Sequence, residues 1–130
     1  MPFDVMPDAG RQLRGLTSYH AGCAAEDGVA AEYERQGCTV LRRRWRGRAG
    51  EIDLIAEKDG ALIFVEVKKS RSFAAAAARI TTRQVGRIFA AAEEYAFAGP
   101  RGSLTDFRVD LALVDAHGSV ELRENAFAWM

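Results

Sequence analysis

Cysteine, histidine and proline are scarce in this chain, at two, two and three among 130 residues. Cys23 and Cys38 stand apart, with no C-x-x-C spacing and no Cys/His cluster, which argues against a zinc site and a disulfide framework and leaves two reduced thiols. His20 and His117 are isolated, and neither reads as a ligand. No stretch approaches the ~20 apolar residues of a membrane span. The first residues carry neither the basic start nor the apolar run of a secretory signal, so the expectation is a cytoplasmic protein with no membrane partner. Net charge is missing too, since 18 basic residues balance 18 acidic ones. Bulk charge therefore gives no general attraction to a polyanion.

What is present fits one globular domain, because 130 residues with 48% hydrophobic content allow a single sizeable core. Residues 1–16 mix Pro2, Pro7, Gly10 and Gly15 with charges and show no periodicity, so they read as a flexible lead-in to a domain over 17–130. A helix follows from Ser18, its N-cap, to Gln36, with Gly37 just past its end. Thr39 to about Trp45 reads as a strand. Two apolar runs, Glu51 to Ile55 and Leu62 to Lys68, flank Asp59-Gly60 and predict a β-hairpin. Thr81 or Thr82 caps a second helix to about Phe97, with Val85, Ile88, Phe89, Ala92 and Ala96 on one face and Gly99-Pro100 stopping it. Phe107, Val109, Leu111 and Leu113 alternate with polar or small residues as a further strand, and Val120 to Arg123 as a last one. The alanines from Ala74 to Ala78 suit either a helix or a loop. This order predicts an α/β fold with a mixed central β-sheet flanked by helices.

The chemistry concentrates on the hairpin. By the two-residue period, Ile63, Val65 and Val67 share one face of the second strand, and Leu62, Phe64, Glu66 and Lys68 share the other. A Leu-Ile-Phe-Val run covered on both faces puts Glu66 and Lys68 at the mouth of a pocket. Asp53, on the neighbouring strand, can converge with Glu66 on a shared cation. On the first helix Glu26 falls on the inward stripe with Val29, Ala30 and Tyr33, which makes it either a third carboxylate of the site or the partner of an arginine. Basic residues lie on both sides of this acidic centre. Arg42, Arg43, Arg44, Arg46 and Arg48 precede it; Lys69, Arg71, Arg79, Arg83 and Arg87 follow it, with no acid between Val67 and Ala92. An acidic centre with basic flanks suits a metal site that also holds a polyanion, and a solvated arginine surface is the other reading. Gln84 is either a polar neighbour of the site or part of a solvated helix face, and Trp45 either stacks on a base or anchors the strand end in the core.

Gly50-Glu51-Ile52-Asp53-Leu54-Ile55 followed by Phe64-Val65-Glu66-Val67-Lys68 resembles the signature of the YraN-like family of uncharacterised bacterial proteins, itself similar to the PD-(D/E)xK nucleases. Asp53 matches the aspartate of that motif, with Ile52 in place of the proline, and Glu66-Val67-Lys68 matches its E-x-K element. The resemblance extends through Gly22, Glu26, Ala30 and Gly37. It departs at Arg44, where an Asn-x-Arg element would have asparagine, at Ser70, where an arginine would stand, and at Val109, where the Arg-Phe-Asp element ending at Asp110 would have phenylalanine.

The resemblance implies a restriction-endonuclease-like αβββαβ core and a metal-dependent endonuclease acting on DNA, including branched or recombination intermediates. Asp53, Glu66 and the Val67 carbonyl would bind Mg²⁺ or Mn²⁺, Lys68 would orient the attacking water, and Glu26 would assist. The arginines at 42, 43, 44, 46, 48, 71, 83 and 87, with Lys69, would meet the nucleic acid. Cutting both strands of a duplex takes two sites, which a homodimer would supply. The alternative is a catalytically inactive nucleic-acid-binding or protein-interaction module that keeps the fold, in line with the altered Ser70 to Ala78 region.

Overall fold

A computed structural model describes residues 23–127 of the protein. The proposed lead-in, the Ser18 cap and Gly22 lie outside them. Helix α1 covers residues 23–35. It is followed by strands β1 (Thr39–Arg46), β2 (Glu51–Lys58) and β3 (Ala61–Lys69), helices α2 (Phe73–Ala77) and α3 (Thr82–Phe97), and strands β4 (Phe107–Val114) and β5 (Val120–Arg123). The five strands form one sheet in the order β1-β2-β3-β4-β5. Every neighbouring pair is antiparallel except β3 and β4, which run parallel and are joined through α2 and α3. The expected mixed sheet flanked by helices is the observed one.

Each element has a local cause. Asp59 and Gly60 take φ of 52° and 83° between the paired residues Lys58 and Ala61, the left-handed two-residue turn whose twist matches the flanking strands. Helix α3 begins with a capping box: the Thr81 hydroxyl accepts from the Gln84 N–H at 3.1 Å, and the Gln84 Oε1 accepts from the Thr81 N–H at 3.0 Å. The alanine run resolves into α2, because the Ser72 hydroxyl accepts from the Ala75 N–H and Ala76 is fully buried.

The core lies in two layers, one on each face of the sheet. Helix α3 buries Val85, Ile88, Ala91, Ala92 and Ala96 against Ile55, Leu62, Phe64, Val109, Leu111 and Leu113. Helix α1 buries Ala25, Val29, Ala30 and Tyr33 against Leu54, Ala56, Ile63, Val65, Ala112 and Val114. The alternation read along β3 therefore holds, with Phe64 on the α3 side and Val65 on the α1 side. Phe64 meets Tyr95 and Phe107 edge-on at 5.8 and 5.4 Å, and such a buried aromatic stabilises by about 1.5–3 kcal/mol. Trp45 packs edge-on against Tyr95 at 5.2 Å, which is the core-anchoring role.

The β1–β2 loop is tied to α3. The Glu94 carboxylate accepts from the Arg48 N–H at 2.9 Å and the Ala49 N–H at 3.4 Å. A Cβ on Gly47 would lie 2.7 Å from that carboxylate and 2.5 Å from Trp45, so a larger residue there would have to displace one of these side chains. This contact fixes where the start of β2 stands relative to α3.

Candidate functional site

Between β2 and β3 the backbone pairing runs from Lys58↔Ala61 to Leu54↔Val65 and stops there. Asp53 and Glu66 are the next residues on the two strands, so the strands part where the charged residues begin. The Asp53 carboxylate enters the gap and accepts a hydrogen bond from the Val67 N–H at 2.8 Å. A side chain here stands in for the lost ladder bond.

Burial, followed by the hydrogen bond and negative charge of Glu66, pushes the Asp53 carboxyl up to about 8; the Val67 N–H and Lys68 oppose the rise without cancelling it. Two acids that share a poorly hydrated position cannot readily both ionise. Lys68 Nζ pairs with Glu66 Oε2 at 3.2 Å, with side chains only 15% and 12% exposed. Two acids and a lysine thus surround one point, as the alternation of β3 and the pairing of the hairpin predict.

Glu26 is not part of that group. Its Oε1 pairs with Arg44 Nε at 2.9 Å, with 14% of its side chain exposed. Among the described residues no group of three or more His, Cys, Asp or Glu side chains is placed to hold a metal ion. The partner-of-an-arginine reading describes the geometry. Arg44 takes φ of 52° within β1 and falls opposite Asp53, between the pairs Arg43↔Leu54 and Trp45↔Ile52. Asparagine tolerates a left-handed backbone better than most residues, which is a physical reason for the asparagine that the resemblance places here. Arg44 takes the same backbone and spends its guanidinium on Glu26.

The other basic residues divide into two sets. Arg43 pairs with Asp27, Arg46 with Glu51 at 3.2 Å, Arg42 donates to the Leu41 carbonyl, and Arg79 donates to the Lys69 carbonyl. Arg71, Arg83 and Arg87 are exposed and form no ion pair among the described residues. Arg87 and Gln84 of α3 line a cleft of about 180 Å³ with Glu66, Glu51, Gly50 and Ile88, so α3 forms the wall of the cleft that Glu66 enters.

Asp110 lies apart from this point on β4, beside Val65, and is wholly buried. Its carboxylate accepts from Tyr33 Oη at 2.7 Å, from Arg108 Nε at 3.0 Å and from the Asn125 N–H at 2.9 Å. Burial and the Asp110 charge raise the Tyr33 phenol well above its ordinary value. For Arg108 burial works downward and is the largest single influence, but the bond to Asp110 together with the negative charges of Asp110 and Glu124 outweighs it and raises the guanidinium. This network ties α1 to β4 and to the turn after β5. In sequence Asp110 stands among the polar residues of an alternating strand and ends an element that begins with Arg108; its partners from other segments, Tyr33 and Asn125, left no signal.

These features describe an α/β protein with a mixed five-stranded sheet that carries two acids and a lysine where two central strands diverge. The chain belongs to the uncharacterised protein family UPF0102, the YraN-like family, whose pattern matches residues 25–114. It is 58% identical over 116 residues to a UPF0102 protein of Cereibacter sphaeroides strain KD131, covering 89% of this chain and 99% of that one. It is also 50% identical over 124 residues to a UPF0102 protein of Roseobacter denitrificans, covering 95% and 96%. A UPF0102 protein of Ruegeria pomeroyi is 53% identical over 114 residues, covering 88% and 93%.

Proposed function

We propose that the protein is a divalent-metal-dependent nuclease that hydrolyses phosphodiester bonds in DNA, branched intermediates included. The observation that carries the reading is the convergence of Asp53 and Glu66 beside Lys68 where β2 and β3 part. The donor set fits Mg²⁺ or Mn²⁺, since two hard carboxylate oxygens in a partly buried cleft, with room for water, match an ion that uses one or two carboxylates and keeps part of its hydration. Asp53, Glu66 and the Val67 carbonyl would hold the ion, which supplies Lewis acidity toward a phosphate and a water of lowered pKa. Lys68, half-buried and already within reach of Glu66, would orient the attacking water and offset charge building on the phosphate. Arg44 and Glu26 would brace Asp53 from the β1 side.

A nucleic-acid-binding module without turnover is the second reading. What favours it is the segment after Lys68, where Ser72 caps a structural helix and Ser70 donates its N–H to Val114. Plasmid and branched DNA incubated with Mg²⁺ or Mn²⁺ separate the two. The nuclease gives metal-dependent cleavage that is lost in Glu66→Gln and Lys68→Ala, together with a metal-induced rise in melting temperature that Glu66→Gln abolishes. Salt-sensitive binding without cleavage supports the module, and a parent protein whose melting ignores metal removes the metal site.

A further inference from the structure

We infer that the cleft between Glu66 and Arg87 is a phosphate-oxyanion subsite, filled by a phosphodiester of a nucleic-acid strand through the Arg87 guanidinium and the Gln84 amide. The inference rests on the proposal above for the identity of the ligand alone; the subsite itself rests on the cleft.

The charges around the cleft leave one cation over. Glu66 is paired with Lys68 at 3.2 Å and Glu51 with Arg46 at 3.2 Å, so both acids that line the cleft already have counter-charges. Arg87 lines the same cleft and forms no ion pair among the described residues. A guanidinium offers a fork of N–H donors that matches phosphate oxygens.

The capping box decides what Gln84 presents. Its Oε1 accepts from the Thr81 N–H, which turns the carbonyl end of the amide toward the start of α3. The NH₂ end keeps both donors, and Gln84 lines the cleft beside Arg87. A cation and a neutral donor three residues apart lie on one side of a helix, in the cleft that Glu66 also lines. At about 180 Å³ the cleft has room for a phosphate group. By contrast, Arg43, Arg44 and Arg46 already have acidic partners, and recruiting them means breaking an ion pair.

The test measures fluorescence anisotropy of a fluorescein-labelled short single-stranded oligodeoxynucleotide with the full chain in EDTA, where neither cleavage nor metal binding contributes. Arg87→Gln is expected to weaken binding about tenfold, the size of one lost charge-assisted contact. Gln84→Glu keeps an oxygen for the Thr81 N–H, so its melting temperature is retained while its binding falls by a similar factor. Arg123→Gln, an exposed control on β5 paired with Glu121, changes binding less than about twofold. Inorganic phosphate should compete with the oligonucleotide in the parent, and chloride at equal ionic strength should not. Parental affinity in Arg87→Gln, with folding intact, overturns the subsite. Phosphate binding that depends on Arg87 without any oligonucleotide binding overturns the nucleic-acid ligand and leaves a site for small phosphates. Because metal is absent throughout, failure here leaves the metal-dependent reading standing, and failure of that reading leaves this one.

Discussion

Replacing Asp53 by asparagine tests the electrostatics of the site before any catalysis is measured. In the folded protein its carboxyl is raised to about 8, far above that of an unfolded aspartate near 4. Between these values the folded chain holds a proton that the unfolded chain has released. Stability is therefore most favourable at the acid end of that window and falls as pH rises through it. At about 1.4 kcal/mol per pH unit, the full window corresponds to several kcal/mol. Water entering the mouth of the pocket and shifts of Glu66 and Lys68 reduce this, so a loss of about 2 kcal/mol between pH 5 and pH 8 is the working expectation, roughly 6–10 °C in melting temperature for a domain of this size. Asparagine can still accept the Val67 N–H and donate to Glu66, as the protonated acid does, but it cannot ionise. Metal-free Asp53→Asn should lose this pH-dependent part of its melting curve and melt higher than the parent near pH 8. The assay is differential scanning fluorimetry in EDTA across that range, with circular dichroism to confirm the fold. If parent and mutant show the same pH slope, Asp53 is already ionised at neutral pH and the description of the paired acids is wrong. Added Mn²⁺ should reverse the order, raising the parent's midpoint more steeply with increasing pH and leaving the mutant's unchanged.

Asp110→Ala strands the Tyr33 hydroxyl and removes the partner of Arg108 in a buried network; urea unfolding should show a loss of about 3–5 kcal/mol, and a loss below about 1 kcal/mol would mean that water replaces the carboxylate. Thr81→Ala removes one half of the α3 capping box and should cost about 1 kcal/mol in the same assay; an unchanged midpoint would show that the box adds nothing to α3. The combined change of Arg42, Arg43 and Arg44 to alanine is expected to weaken DNA binding and flatten its dependence on salt, and an unaltered slope would leave these residues only their contacts within the protein. Light scattering should show a dimer at working concentrations if both strands of a duplex are cut together, and a monomer counts against paired cutting.

Much of this molecule was legible along the chain because its signals are local. Alternation along Leu62 to Lys68 determined which side chains of β3 face α3 and which face α1, since the strand period leaves no other choice once one face is buried. Asp59-Gly60 determined the hairpin, because a tight turn with two left-handed residues admits few sequences. Thr81 or Thr82, the apolar stripe and Gly99-Pro100 placed both ends of α3, and the bonds between Thr81 and Gln84 settled the cap. Given the hairpin, Asp53 and Glu66 had to fall on neighbouring strands, so the acidic pair could be read from spacing.

What only the tertiary structure decided depends on contacts between distant segments. Nothing along the sequence says that pairing stops at Leu54 and Val65, yet that parting admits the Asp53 carboxylate to the Val67 N–H and sets its protonation. Glu26 carried the right period for a third ligand, but the left-handed backbone at Arg44 brings a guanidinium to it first. Asp110 and Arg108 were visible as two residues of one strand, while Tyr33 and Asn125, which with Arg108 make a buried acid bearable there, come from α1 and the turn after β5. The arginines looked alike in sequence and differ in the fold, because an ion pair is a property of three-dimensional neighbours: β1 lies beside the acids of α1 and β2, and Arg87 lies beside a cleft whose acids are already neutralised.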